Sequence, residues 1–164
     1  MSANPGDAAP PFDLALPGGG FRGLADIVEP GGGILVFFKS SCETSRLILP
    51  RLGPLAKALG NEGMLFLSVA QEDEGGALQF ERELGVPGTL VWEDAPYPIS
   101  AAYEVRVVPT LFVVDGAGII AERIEGFVKR EYLALGAAVE QALALGDIPP
   151  VLERPEELPE LKPG

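Results

Sequence analysis

The segment ILVFFKSSCETSRLILPRL, residues 34–52, constrains the fold of this chain more than any other stretch. Its first five residues are all apolar, which is the pattern of a β-strand that is buried on both faces, and such strands usually belong to α/β sheets. Between residues 44 and 60 the apolar residues recur at helical spacing. The segment therefore predicts a buried strand that leads directly into a helix, with Cys42 at the junction.

The pattern along the rest of the chain extends this α/β order. Pro50 lies inside the first helix, where it removes a backbone donor and should kink the axis. The residues after that helix predict two further strands with a helix between them, then a hairpin around DGAG and a closing helix. The predicted elements are strands at 64–70, 89–92, 110–114 and 119–125 and helices at 77–84 and 129–145.

Three regions are expected along the chain. Residues 1–11 are rich in Pro, Gly and Ala and predict a flexible lead-in, and Phe12–Leu16 alternates like a short edge strand. Residues 12–147 form the single predicted domain. The composition of residues 148–164, with many prolines and glutamates, predicts an extended tail that cannot fill a core. The acidic loop Glu72–Glu74 is expected to be solvated surface.

Composition excludes several classes of chemistry. The formal net charge of −12 disfavours nucleic acid and anionic membrane surfaces as partners. The sequence has no apolar run of membrane-spanning length and no signal-peptide pattern, so a cytoplasmic protein is expected. Because the chain has no histidine and one cysteine, imidazole chemistry and an internal disulfide are excluded. We expect no metal site and no cofactor.

Cys42 is open to two interpretations. A lone cysteine is often only a small buried apolar residue. Cys42, however, follows a buried strand and precedes a helix, so its sulfur can face the free N–H groups at the start of that helix. This setting stabilises a thiolate and favours a modestly activated nucleophile.

Three separated motifs carry a family resemblance. FFKSSCETSRLILPRL resembles the active-site segment of the thioredoxin superfamily, where a proline stands eight residues after the first cysteine, as Pro50 does here. VVPTLFVVDGAGII is similar to the loop in which a cis-proline faces the active-site sulfur, and Pro109 takes that place. APPFDLALPGGGFRGLADI and the pair Gly126–Phe127 resemble the TlpA/ResA-like branch, which is related to AhpC/TSA redoxins. The resemblance implies a thioredoxin-like fold, with a central mixed sheet flanked by helices on both faces.

The resemblance also implies a site, and one departure from the family pattern limits its chemistry. The motif CETS has Ser45 where the second cysteine of C-x-x-C would stand, and a hydroxyl cannot resolve a mixed disulfide. We therefore expect monothiol thiol–disulfide chemistry, with Cys42 as the nucleophile and Ser45 as a hydrogen-bond donor to its thiolate. Val108, Pro109 and Thr110 are expected to shape the substrate groove. The charged residues expected to modulate the thiol are Lys39, Glu43 and Arg46.

Three alternatives remain open at this point. The fold could serve as a non-catalytic module that binds extended peptides, or Ser45 could replace the resolving cysteine of a dithiol oxidoreductase. A one-cysteine peroxidase is less well equipped, because Lys39 stands where peroxiredoxins have a Thr or Ser and Pro109 stands where they have an arginine. The expected partners are protein or low-molecular-weight thiols and disulfides. The sequence predicts no oligomeric state.

Overall fold

The computed structural model describes residues 3–164, which build one mixed sheet with helices on both faces. Seven strands form this sheet in the order β2-β1-β5-β4-β3-β6-β7, and β8 and β9 form a separate pair. The strands are β1 Asp13–Ala15, β2 Phe21–Gly23, β3 Gly32–Phe38, β4 Leu65–Gln71, β5 Thr89–Glu93, β6 Thr110–Asp115, β7 Ile120–Glu125, β8 Phe127–Val128 and β9 Leu161–Lys162.

Six α-helices and two 3₁₀ turns connect the strands of the described residues. The helices are α1 Leu24–Val28, α2 Glu43–Ile48, α3 Gly53–Asn61, α4 Glu74–Leu84, α5 Pro98–Ala102 and α6 Lys129–Ala142, and the 3₁₀ turns are Leu49–Leu52 and Pro155–Glu157. Pro50 interrupts the first long helix as predicted, because α2 passes through the 3₁₀ turn at 49–52 before α3 begins. Sequence analysis missed β2 and α1, which are only three and five residues long.

The central strand β3 divides the core into two layers. All seven of its residues are buried, as the continuous apolar run predicted. Ile34, Val36 and Phe38 point into a cluster that also contains residues of α2, α3, α4 and α6. Leu35 and Phe37 point into the opposite cluster, with residues of α1. The alternation along one strand therefore explains why both faces of the sheet need helical cover.

The strand directions make the sheet mixed and bring two loops together. β3 runs parallel to β4 and antiparallel to β6, and β6 pairs antiparallel with β7. The carboxyl end of β3 therefore lies next to the start of β6, since Phe37 pairs with Thr110. The loops 39–42 and 105–109 meet at this end of the sheet. β1 pairs with both β2 and β5, so it lies inside the sheet and is not the edge strand that Phe12–Leu16 predicted.

The predicted flexible lead-in needs correction for residues 3–11, while residues 1 and 2 lie outside the described part of the chain. Ala3 and Ala9 are buried in the core. The backbone of Gly6 donates to the carbonyl of Ile120 at 2.8 Å, and the Ile120 N–H donates to Asp7 at 2.9 Å. The segment packs because its alanines bury apolar surface while its backbone groups pair with β7.

The predicted tail also needs correction. Val151, Leu152 and Leu158 are buried in the same core cluster as α6. The Glu153 N–H donates to the Arg51 carbonyl at 3.1 Å. Beyond the 3₁₀ turn at 155–157, β9 pairs antiparallel with β8. Three aliphatic residues between the prolines supply enough apolar surface to hold residues 148–164 on the domain.

No helix among residues 3–164 is both long enough and apolar enough to cross a bilayer. The cytoplasmic location stays a prediction. The same residues contain no group of three or more acidic or cysteine side chains placed to hold a metal ion.

Candidate active site

Cys42 lies at the junction of β3 and α2, where the sequence placed it. It is the N-cap residue of α2, and its Sγ accepts a hydrogen bond from the Ser45 backbone N–H at 3.4 Å. The Cys42 N–H donates to the Lys39 carbonyl at 3.0 Å, which closes the turn before the helix. The side chain is partly exposed. Cys42 is therefore an accessible thiol whose sulfur faces a backbone donor.

Ser45 is fully buried, and its backbone is what contacts the sulfur. Its hydroxyl accepts a hydrogen bond from the Lys39 N–H at 3.4 Å. The expected role of Ser45 as a donor to Cys42 is thus filled by its amide, because the side chain of Ser45 points back towards the turn that follows β3. The amide can donate to either the thiol or the thiolate.

The loop around Pro109 faces Cys42. The Val108–Pro109 peptide bond is cis. The Cys42 thiol donates to the Val108 carbonyl oxygen at 3.2 Å. The Thr110 hydroxyl donates to the Val107 carbonyl at 2.7 Å, and the Gly126 N–H donates to the Pro109 carbonyl at 2.8 Å. Thr110 therefore braces the loop, and Val108 presents its backbone to the sulfur.

The side chains of the three charged residues expected to modulate the thiol have partners other than the sulfur. The Lys39 ammonium lies over the Tyr97 ring, 5.3 Å from its centroid. Arg46 pairs with Glu83 at 3.1 Å, and this hydrogen bond lowers the pKa of the Glu83 carboxyl. The Glu43 carboxylate has a different cationic partner, the ammonium of Lys162 at 3.5 Å. All three side chains thus pair with residues other than Cys42, and their effect on the thiol stays a prediction.

A cleft of about 440 Å³ opens beside Cys42. One wall is formed by residues 42–44 and another by residues 106–108. The third wall consists of residues 162–164, which belong to the predicted tail. Sequence analysis missed this wall and also missed Arg106, although Arg106 stands only three residues before Pro109.

Glu72 is another site residue that sequence analysis missed. It was expected on solvated surface, but its carboxylate accepts hydrogen bonds from both the backbone N–H and the hydroxyl of Ser40. Ser40 lies two residues before Cys42. Glu72 follows β4, which is the parallel neighbour of β3, so the parallel pairing of the two strands could have suggested this contact.

A larger cavity, of about 630 Å³, lies between α3 and residues 145–149. Its lining includes Lys57, Glu62, Asp147 and Glu153 but not Cys42. The larger cavity contains no nucleophilic sulfur, so the smaller cleft at Cys42 is the candidate active site.

Comparisons with known proteins agree with this architecture. The model of the AhpC/TSA family matches residues 5–123. No curated protein sequence matches the chain. Among solved structures, a candidate thiol:disulfide interchange protein, DsbE, from Chlorobium tepidum superposes with a TM-score of 0.77 at 24% identity, covering 87% of this chain and 99% of that one.

Two further structures superpose over similar lengths. A candidate protein disulfide isomerase from Bacteroides thetaiotaomicron has a TM-score of 0.75 at 21% identity, covering 89% of this chain and 96% of its own. A thiol:disulfide interchange protein of the thioredoxin family from Chlorobium tepidum TLS has a TM-score of 0.69 at 21% identity, covering 87% and 99%. These similarities confirm the predicted thioredoxin-like fold.

Proposed function

Because this chain belongs to the AhpC/TSA family and has a thioredoxin-like fold, we propose that it is a TlpA/ResA-like protein that exchanges thiols and disulfides through the single sulfur of Cys42. The observation that carries the proposal is the position of this sulfur. It is partly exposed in a cleft, 3.4 Å from the Ser45 N–H and 3.2 Å from the Val108 carbonyl.

The reaction has two balanced steps. Cys42 first gives its proton to solvent, which removes its hydrogen bond to the Val108 carbonyl and leaves the thiolate facing the Ser45 N–H. The thiolate attacks one sulfur of a disulfide, so that a mixed disulfide forms on Cys42 and the other sulfur leaves as a thiolate. An external thiol then attacks the mixed disulfide, which restores Cys42 and forms a new disulfide with the group that Cys42 carried.

The second step needs an external thiol because residue 45 is a serine. Its hydroxyl is buried and accepts from the Lys39 N–H, and a hydroxyl is far too weakly acidic to act as the attacking group. Protein thiols or a small thiol such as glutathione are the proposed resolving partners.

Mass spectrometry of the intact chain tests the proposal. Incubation with glutathione disulfide should add one glutathionyl group, and dithiothreitol should remove it. Cys42→Ser is the matched control, because it removes the only thiol and should stay unmodified. A parent chain that stays unmodified under the same conditions would exclude the proposal.

A non-catalytic peptide-binding function is the second candidate. It is favoured by the cleft itself, whose third wall is an extended segment held without a covalent bond. The two functions differ in one measurement, since only exchange chemistry requires the sulfur. A peptide that binds the parent and Cys42→Ser equally, with no adduct on the parent, would support the binding function.

A further inference from the structure

The segment 161–164, named here the closing segment, lies along the loop that faces Cys42. Its first two residues form β9, in which Leu161 pairs with Val128 and Lys162 pairs with Phe127. Just before it, the Glu160 carbonyl accepts a 2.9 Å hydrogen bond from the Lys129 N–H. Alternate pairs in an antiparallel ladder are hydrogen-bonded, so this contact assigns the Lys162 backbone N–H to Phe127.

The backbone of the closing segment lies directly against Val108. A Cβ atom built on Gly164 would overlap the Val108 carbonyl oxygen and would lie 3.1 Å from the Val108 nitrogen. Gly126, with φ of +64°, is approached in the same way, because a Cβ there would lie 3.2 Å from the Gly164 nitrogen. Glycine at both positions allows main chain to meet main chain where any side chain would intervene. The peptide edge of Val108 is thus already covered.

Two side chains next to Cys42 hold the closing segment in place. The buried Thr44 hydroxyl donates to the Pro163 carbonyl at 2.7 Å. The Lys162 ammonium pairs with the Glu43 carboxylate at 3.5 Å. Both partners, Glu43 and Thr44, immediately follow Cys42 in the chain. The contacts therefore connect the closing segment to the helix that carries the sulfur, as well as to β8.

We propose, building on the function proposed above, that the closing segment selects among the substrates of Cys42. While it is docked, small disulfides reach the partly exposed sulfur through the cleft. An extended polypeptide cannot pair with the Val108 backbone at the same time, because the closing segment already occupies that position. Polypeptide disulfides therefore react only from the state in which the closing segment has detached.

The docking contacts are few enough for detachment to occur in the folded protein. Besides the close approach of Gly164 to Val108, they comprise a two-residue ladder, one buried hydrogen bond and an ion pair whose carboxylate is 88% exposed. Exposed ion pairs contribute little to stability. When only a fraction of the molecules is in the reactive state, the apparent rate of a substrate that needs this state is its intrinsic rate multiplied by that fraction. A detached fraction of about one tenth would make the polypeptide reaction about tenfold slower than its intrinsic rate.

The test compares two substrates on the full-length chain. One is glutathione disulfide, and the other is a mixed disulfide of glutathione with a cysteine placed in the middle of an extended peptide of about ten residues. The measured quantity is the ratio of the rate of the peptide disulfide to that of glutathione disulfide at Cys42. A change in the reactivity of the Cys42 sulfur would alter both rates by the same factor, so it does not affect the ratio.

Lys162→Pro is the detaching variant, because proline cannot donate the hydrogen bond to Phe127. Lys162→Ala is its matched control, since it also loses the ammonium but keeps the backbone N–H. Lys162→Pro should raise the rate ratio about tenfold, while Lys162→Ala should change it less than about threefold. Thr44→Val removes the bond to Pro163 by a separate route and should raise the ratio in the same direction. A ratio unchanged in both Lys162→Pro and Thr44→Val overturns the proposal.

Hydrogen exchange supplies a readout that needs no reaction. In Cys42→Ser, adding the same peptide as a free thiol should deprotect the Lys162 amide, which the pairing of β8 with β9 assigns to Phe127, while leaving the amides of β3 unchanged. If the Lys162 amide keeps its protection when the peptide binds, the closing segment does not compete with the peptide. Failure of the proposed function gives a different result, since neither disulfide would then modify Cys42 in any variant.

Discussion

Glu72 holds Ser40 through two hydrogen bonds, one of 2.7 Å from the Ser40 N–H and one of 2.5 Å from the Ser40 hydroxyl. The two residues are separated by 32 positions in the chain, and they meet because β3 and β4 are parallel neighbours. The Arg46 guanidinium also donates to the Ser40 carbonyl at 3.3 Å. The N–H, the hydroxyl and the carbonyl of Ser40, which lies in the turn before Cys42, are therefore all hydrogen-bonded.

Glu72→Gln should lower the free energy of unfolding by about 1–2 kcal/mol. The amide keeps one acceptor oxygen but loses the charge that strengthens both hydrogen bonds. Chemical denaturation measures the change. Glu81→Gln, an exposed acid on α4, is the control and should change stability by less than about 0.5 kcal/mol. Equal small changes in both variants would show that the contact with Ser40 does not stabilise the fold.

Ser45→Cys should convert the site to dithiol chemistry if the proposed function holds. The residue at position 45 already lies against the sulfur, with its amide at 3.4 Å from Cys42 Sγ. A second thiol there can attack the mixed disulfide and release its partner. The glutathionyl adduct should therefore become short-lived without added thiol, as followed by mass spectrometry.

Ser45→Ala provides the comparison for that experiment. It removes the hydroxyl that accepts from Lys39 but adds no thiol, so its adduct should persist as long as that of the parent chain. An adduct on Ser45→Cys that lasts equally long would contradict the mechanism.

Arg123→Met should cost about 2–3 kcal/mol of stability. The Arg123 guanidinium donates to the carbonyls of Ala3, Tyr103 and Glu104 at 2.7–2.9 Å and lies over the Phe112 ring. Methionine fills much of the same volume but leaves those carbonyls without their donor. Thermal or chemical unfolding measures the loss.

The exposed Arg130 supplies the control for this substitution. Arg130→Met removes the same charge, and its stability should stay within about 0.5 kcal/mol of the parent. If the two variants lose equal stability, net charge and not the bonds to the three carbonyls is responsible.

The stability of the fold should decline in alkali because of Tyr103 and Tyr132. Burial raises the pKa of both phenols above the usual value of 10.0, and the nearby Glu131 charge raises that of Tyr132 further. The neutral phenols therefore contribute stability that is fully present below pH 10 and is lost as the pH rises from there towards the raised pKa values. Unfolding free energies measured across this range should fall.

Tyr103→Phe tests that assignment. It removes the hydroxyl that donates to the Pro10 carbonyl at 2.7 Å, which should cost about 1 kcal/mol at neutral pH. Because one titrating group is gone, the decline above pH 10 should be shallower than in the parent. Parallel declines in the two chains would assign the alkaline loss to other groups.

Local patterns in the sequence were sufficient to predict the part of the site that surrounds Cys42. The apolar run of β3 and the helical spacing after it placed the sulfur at a helix start. Pro50 predicted the interruption after α2, since proline acts on the helix that contains it. These features depend on neighbours within one or two turns, and a single sequence records such neighbours directly.

The partners that reach the site from a distance could not be predicted in this way. Glu72 stands in an acidic loop whose composition suits solvent, and only the pairing of β3 with β4 brings it to Ser40. The tail contains Val151, Leu152 and Leu158 among many prolines and glutamates, so its average composition predicted an extended segment although these three side chains are buried. The contact between Thr44 and Pro163 spans 119 positions, and no local pattern indicates it.

The pairing of residues 6–9 with β7 has a consequence for how copies of the protein could associate. A bare outer strand offers unpaired amides and carbonyls to which another chain can add, and this is a common route to aggregation. Here Ala8 forms an isolated β-bridge with Ile119, and the Gly6 N–H donates a hydrogen bond to the Ile120 carbonyl. At the far side, β2 offers only three residues. Strand addition by another copy at Ile119 and Ile120 would therefore first require residues 6–9 to leave this edge, and β2 on the far side offers a template of only three residues.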